Sequence, residues 1–365
     1  MKKYLIIIMI VLILTINVNG SFIKESDYRY IVKSKGNILY VGGSGAGNYT
    51  TIQSAIDDAL DGDTVFVYDD SSPYQEHVTI DKSISLIGKD KNTTVIEDEN
   101  FPILINSDDV IVSEFTLIFS ETGIVINLSN NIIISKNIFK AQDNYFSYAI
   151  EIINSDNNLI TENVIISSEV NFYDFVDISL TGDGNIISNN TLIEIGNREN
   201  YAIEFSGSNN FIENNSISGY YTGIFFSGDM NIIDNNYITD CDDGIKIYNT
   251  FSSENTIKNN KLRNISGDSI DIIRGLKNNI YNNDIRDCDD GIVICAFSWY
   301  NAISNNNFIN CDRMGYFVRF CFQNTWDGNY WDGPQESPYI VKGRIGLFIP
   351  WFNYDYYPAQ EPYDI

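Results

Sequence analysis

From Asn158 onward the hydrophobic and polar positions repeat one signature: Asn, any residue, Ile (Trp in the last copy), any residue, a polar residue, Asn, any residue, then an aliphatic or aromatic side chain. Copies start at Asn158, Asn185, Asn210, Asn231, Asn255, Asn278, Asn301 and Asn324, separated by 27, 25, 21, 24, 23, 23 and 23 residues. A weaker copy starts at Asn131. This period matches one turn of a solenoid rather than a heptad or a propeller blade. Five residues after each start stands a second Asn: Asn163, Asn190, Asn215, Asn236, Asn260, Asn283, Asn306 and Asn329. Two apolar columns run beside them, and their place in the repeat points them inward. The first is Ile160, Ile187, Ile212, Ile233, Ile257, Ile280, Ile303 and Trp326; the second is Ile165, Leu192, Ile217, Ile238, Leu262, Ile285, Phe308 and Trp331.

A further strand precedes each Asn element, as in Gly223-Ile224-Phe225-Phe226, Gly244-Ile245-Lys246-Ile247 and Gly291-Ile292-Val293-Ile294. Its aliphatic residues face the core and the residue between them faces solvent. The pattern therefore predicts an all-β, right-handed parallel β-helix. Coils of such a solenoid stack about 4.8 Å apart, so equivalent side chains lie over one another. Asn profits most, because its amide donates and accepts at once and a column of Asn bonds along the axis. Asn also tolerates the left-handed backbone that sharp corners demand.

The ends break the pattern. Ile52, Ala55, Ile56, Ala59 and Leu60 fall on one face of a helix over residues 51–60, which Asp61-Gly62 stops. A solenoid exposes its core at an open end, and this helix reads as a lid on it. Strands are expected at Thr64 to Val67, Val78 to Ile80 and Ile84 to Ile87. The run Gly42 to Gly47 has neither the spacing nor the Lys-Ser/Thr pair of a phosphate loop and reads as a flexible lead-in. After Asn324 come Trp326, Tyr330, Trp331, Tyr339, Phe348, Trp351, Phe352, Tyr354, Tyr356 and Tyr357, which read as the second lid. The expected organisation is a signal peptide over 1–20, a lead-in over 21–47, a cap with irregular first coils over 48–130, regular coils over 131–331 and a closing cap over 332–365.

Composition narrows the function. Asp and Glu outnumber Lys and Arg by 49 to 23, and a formal charge of -26 argues against nucleic acid and anionic lipid as partners. Lys2 and Lys3, the apolar run from Leu5 to Leu14, and Val18-Asn19-Gly20 have the form of a secretory signal. The protein is accordingly expected to be secreted or at the cell surface, touching membrane only through an uncleaved leader. Five cysteines, all late in the chain, do not make a disulfide framework, and His77 is the sole histidine, so the usual zinc and copper ligand sets are missing. Cys241, Cys288 and Cys311 share one inward column; Cys288 and Cys311 stand one coil apart, either bonded or as stacked thiols.

Two outward columns carry candidate chemistry. Asp243, Asp268 and Asp290, supported by Asp242 and Asp289, precede inward Gly or Ser residues. They read either as turn-forming acids or as an oxygen site for Ca²⁺ or a catalytic site. Glu151, Asp177, Glu204, Phe225, Lys246 and Asp271 form the second column, with no arginine joining it. Glu204, Phe225, Lys246 and Asp271 suit a sugar-binding groove, although an ordinary solvated face has the same composition.

Two stretches resemble the NosD-like and pectin-lyase-like parallel β-helix proteins of secreted and periplasmic type. One is Tyr49 to Ile56 with Gly62-Asp63-Thr64-Val65, similar to that family's amino-terminal cap. The other is Gly328-Asn329-Tyr330-Trp331-Asp332, with Pro338-Tyr339-Ile340-Val341 and Asp355-Tyr356-Tyr357-Pro358, similar to its closing segment. The acidic, Gly-rich insert expected between Trp331 and Pro338 is nearly absent. The resemblance implies a fold from about Asn37 to the end, hosting polysaccharide lyases and hydrolases, non-catalytic surface proteins and accessory proteins of copper-centre assembly. For lyases it implies Ca²⁺ on clustered Asp and a basic residue as proton abstractor. Fold does not choose among these. The leading expectation is a non-catalytic protein whose acidic face binds carbohydrate or another surface polymer; the alternatives are a polysaccharide lyase or hydrolase and a metal-centre accessory protein.

Overall fold

The computed structural model describes residues 36–142, 148–168, 175–196, 200–248, 251–346 and 348–365. The expected signal peptide lies outside them, as does the lead-in up to residue 35. The described chain is a parallel β-solenoid of about 13 turns with one short helix. Its strands form one continuous hydrogen-bonded sheet that wraps three faces. Equivalent residues of successive coils pair directly: Ile165, Leu192, Ile217, Ile238, Leu262, Ile285, Phe308 and Trp331 stand in one register. All are buried, each contributing about 1.5–3 kcal/mol relative to exposure.

Both asparagine columns lie inside the corners. In the second, each backbone N–H donates to the Oδ1 of the next coil's Asn, from Asn137 through Asn163, Asn190, Asn215, Asn236, Asn260 and Asn283 to Asn306, at 2.9–3.1 Å. Each Nδ2 also donates backwards to a carbonyl of the preceding coil, as Asn260 does to Ile233 at 2.9 Å. In the first column the same N–H to Oδ1 bonds run from Asn158 to Asn324, and the Nδ2 donation holds from Asn185 onward, Asn158 Nδ2 being left without a partner. Repetition thus satisfies a line of buried amides that no single coil could satisfy alone.

Three details differ from the expectation. The left-handed residue is not the ladder Asn but the one before it: Asn189, Asn214, Asn235, Asn259, Asn282 and Asn305 all have φ between 53° and 57°. The ladder Asn must keep an ordinary conformation so that its amide points along the axis. The weaker repeat is displaced by one: Ile132, not Asn131, takes the first column, donating its N–H to Asn158 Oδ1, and Asn137 takes the second. Lastly, the second column does not stop at Asn329. Asp355 supplies the next acceptor, its Oδ2 receiving Asn329 N–H at 2.9 Å and Trp331 Nε1–H at 3.0 Å. Asp355 is fully buried, and a carboxylate, which only accepts, suits the last rung.

Helix α1 (Ile52–Asp58) is shorter than its expected span. Thr51 caps its start, and its end falls before Asp61-Gly62: Ala59 is already extended, and Asp63 Oδ2 takes the Leu60 N–H. Ile52, Ala55 and Ile56 are buried. The strands Thr64–Val67 and Val78–Ile80 form as expected, and the third runs over Ser85–Gly88. At the far end Trp331 stacks between Phe308 and Tyr339, with ring centroids 4.8 and 4.1 Å apart. The antiparallel hairpin of Tyr339–Ile345 and Ile349–Asp355 follows. Phe348, Trp351, Phe352, Tyr354, Tyr356 and Tyr357 are exposed, so much of the aromatic tail does not bury the solenoid end. Cys288 and Cys311 are disulfide-bonded, with Cα atoms 4.6 Å apart.

Candidate functional site

One face gathers the chemistry. It is built by Thr122–Asn127, Tyr148–Ile153, Val176–Thr181, Tyr201–Ser206, Thr222–Ser227 and Asp243–Ile247. It continues in the longer strands Lys261–Ile273, Asp284–Cys295 and Asn307–Val318, where the corner is absorbed into the strand. We call it the front sheet. Its outward column runs Glu151, Ser179, Glu204, Phe225, Lys246, Asp271, Val293 and Tyr316. Glu204, Phe225, Lys246 and Asp271 therefore do stand over one another.

Asp177 is absent from that column; Ser179 holds its place. Asp177 is the second residue of its strand, where other coils have Gly223, Gly244 and Gly291, and it is buried together with its neighbour Ile178, so alternation fails at this point. There its carboxyl accepts from Ser167 Oγ at 2.6 Å and from the Tyr220 hydroxyl. Burial raises its pKa to about 7, although both hydrogen bonds oppose the shift. Asn200 and Glu194 extend this interior group through a 2.9 Å bond. It lies beside the two longest intervals of the repeat, which begin at Asn158 and Asn185.

Asp243, Asp268 and Asp290 also stack in successive coils, and the same register continues to Arg313. They are strand residues, not turn residues: the left-handed corner positions are Asp240, Asn264, Asp287 and Asn310. The two outward columns are adjacent and form one cluster. Lys246 Nζ lies 3.0 Å from Asp243 Oδ2 and 3.5 Å from Asp271 Oδ2. Arg313 grips Asp290 with both nitrogens, Nε to Oδ1 at 2.6 Å, and its guanidinium lies 4.3 Å from the Tyr316 ring centroid. An arginine thus stands in the column of Asp268 and Asp290, while the column of Glu204 and Asp271 continues to Val293 and Tyr316 without one; Arg313 escaped notice because its column holds aspartates in the preceding coils.

The fields of these groups are strong. Burial, together with the charges of Asp271, Asp243 and Asp290, pushes Asp268 up to about 7. Burial and Asp243 raise Asp271 to about 6 against the pull of Lys246. Burial disfavours the Lys246 ammonium, but Asp243 and Asp271 outweigh that and raise its pKa. Among the described residues no group of three or more His, Cys, Asp or Glu side chains is arranged to hold a metal ion.

Beside the charged cluster runs an aromatic strip that the sequence pattern did not reveal. Tyr201 and Phe225 have ring centroids 5.4 Å apart, Phe225 and Tyr248 5.5 Å, and Tyr201 and Tyr221 6.0 Å. Tyr221 and Tyr248 are exposed. A concavity of about 590 Å³ lies at a different corner, among Asn214, Asn235, Asn259, Asn282 and the chain end at Tyr363, and brings no such combination together.

A family model described as periplasmic copper-binding protein (NosD) matches residues 147–336. No curated protein matches the sequence. Among solved structures, a PL6 alginate lyase in complex with a trisaccharide is similar at 13% identity and a TM-score of 0.59, with 82% of this chain and 80% of that chain covered. The tailspike protein of E. coli bacteriophage HK620, in complex with a pentasaccharide, is similar at 12% identity and a TM-score of 0.60, covering 79% and 64%. XylC with xylose follows at 11% and 0.57, covering 75% of each chain. At such identities the likeness is one of fold.

Proposed function

The chain belongs to the NosD family, and from that premise we propose that it is an extracytoplasmic β-solenoid whose front sheet binds carbohydrate. The observation that carries this reading is the strip Tyr201, Phe225 and Tyr248 lying against Asp243, Lys246 and Asp271. Aromatic faces stack on the C–H faces of sugar rings, and carboxylates and ammonium groups beside them hydrogen-bond the hydroxyls. The periplasmic description of the family and the saccharide complexes of the similar structures support it. Helix α1 and the stacked Trp331 and Tyr339 serve in this reading as the two caps.

Copper does not enter it. Soft metals need thiolate, thioether or imidazole ligands converging on one point. Among the described residues His77 bonds the Phe101 carbonyl through Nδ1, Cys288 and Cys311 bond each other, Cys241 and Cys321 are buried, and the half-buried Cys295 meets only the hard oxygen of Asp271, Sγ to Oδ1 at 3.6 Å. Ca²⁺ on Asp243, Asp268 and Asp290 is not carried forward either, since Lys246 and Arg313 already pair with two of the three.

Binding is tested by titrating oligosaccharides into the protein and into Phe225→Ala, which should bind at least about tenfold more weakly through loss of stacking. Equal affinity of the two would sink the reading. A second reading, cleavage of the bound polymer, is favoured by Asp268, a carboxyl that holds its proton to about pH 7 on the open face and suits a general acid. It predicts release of new reducing ends that Asp268→Ala abolishes; binding without product leaves the front sheet as a binding surface alone.

A further inference from the structure

We propose that the front sheet selects uncharged glycans and rejects polyuronates, an inference that rests on the carbohydrate-binding reading above. The argument is one of charge placement. The sheet presents Glu151, Glu204, Asp243, Asp268, Asp271 and Asp290 along its two outward columns, against Lys246 and Arg313. Both cations are turned onto the protein's own acids. Lys246 bridges Asp243 and Asp271 at 3.0 and 3.5 Å, and Arg313 holds Asp290 through two nitrogens while lying over the Tyr316 ring.

A sugar carboxylate docking here would have to take Lys246 from two partners or Arg313 from a two-point grip, and would leave buried carboxylates unpaired. Asp271, of which only 4% is accessible, would be the most exposed to that penalty. An uncharged sugar meets no such barrier. Its hydroxyls donate to the carboxylates, and its ring lies on Tyr201, Phe225 and Tyr248. The long-range field of a chain carrying a formal charge of -26 acts the same way on a polyanion. The aromatic strip therefore supplies attraction for any pyranose, and the ion pairs beside it decide which kind stays.

The experiment compares neutral hexamers (cello-, xylo- and N-acetylated chito-hexaose) with oligogalacturonate at pH 8, where Asp268 and Asp271 have given up their protons. The intact protein should bind at least one neutral hexamer about tenfold or more tighter than the uronate, with an affinity that changes less than about twofold between low and high salt. The double variant Asp243→Asn and Asp290→Asn releases both cations and should raise the uronate-to-neutral affinity ratio by about tenfold. Uronate binding by the intact protein that equals or exceeds neutral binding and weakens with salt overturns the selectivity and leaves the carbohydrate reading standing. Neutral binding that Phe225→Ala does not weaken moves the site elsewhere and overturns both, as does failure of every hexamer to bind. If the double variant does not fold, the comparison of ligands and salt on the intact protein decides alone.

Discussion

The solenoid buries polar groups in two ways, and the contrast between them explains much of its behaviour. The asparagine column through Asn260 is neutral, repeated and bonded both along the axis and back to the preceding coil. The group of Asp177, Ser167 and Tyr220 occurs once, is ionisable and is bonded within itself, Tyr220 coming from 43 residues further along the chain. Both are fully desolvated. Repetition gives each amide a donor and an acceptor at a fixed spacing whatever the pH, whereas an isolated carboxyl in the same interior holds its proton to about pH 7. A solenoid can thus carry a long polar interior cheaply only where every coil contributes the same group.

The largest effect should come from breaking the column. Asn260→Ala removes the acceptor of Asn236 N–H and Nδ2–H and the donor to Ile233 and to Asn283, leaving buried groups unpaired above and below. The expected loss is about 3–5 kcal/mol in urea unfolding, the same in acid and at neutral pH. A loss below 1 kcal/mol would show that the coils do not depend on the ladder.

Asp177 should behave differently. Its folded pKa of about 7 lies above the unfolded value of 3.8, so the unfolded chain releases the proton first. Its contribution is fully present below about pH 4 and is lost as pH rises to about 7, a fall of at most about 4 kcal/mol. Asp177→Asn removes that slope. Unfolding free energies of the two proteins at pH 4.5 and pH 7.5 test it, and a difference between them that stays constant with pH contradicts the burial argument.

A smaller effect sits where the column ends. Asp355→Asn keeps the shape but exchanges one acceptor for a donor facing Asn329 N–H and Trp331 Nε1–H, which should cost about 1–2 kcal/mol. Local hydrogen exchange should quicken around Asn329 before it does around Asn260. Uniform exchange along the column would mean that Asp355 is not its terminus.

Much of this was open to reading in the chain. The period, the inward columns and the two lines of Asn follow from identical residues at identical offsets, which stacking makes neighbours. Asp355 was hidden because it lies 26 residues beyond Asn329 in a segment with no repeat, and only its residue type, an acceptor, hinted at its role. Arg313 was hidden for a similar reason, since its neighbours in the column are acids. Asp177 was misplaced because strict alternation sets it on the outward side, two residues before Ser179, whereas Asp177 and Ile178 are both buried at the start of their strand.

The sequence by itself determined the architecture of this protein: a solenoid, its coil length, its core and its polar seams, because a repeat imposes the same environment on the same offset in every turn. The tertiary structure alone decided the chemistry of the front sheet. Which acids meet a cation, which carboxyl is buried and which aromatics line up depend on coils of unequal length falling into one register, and a shift of a single residue at a corner exchanges inside for outside.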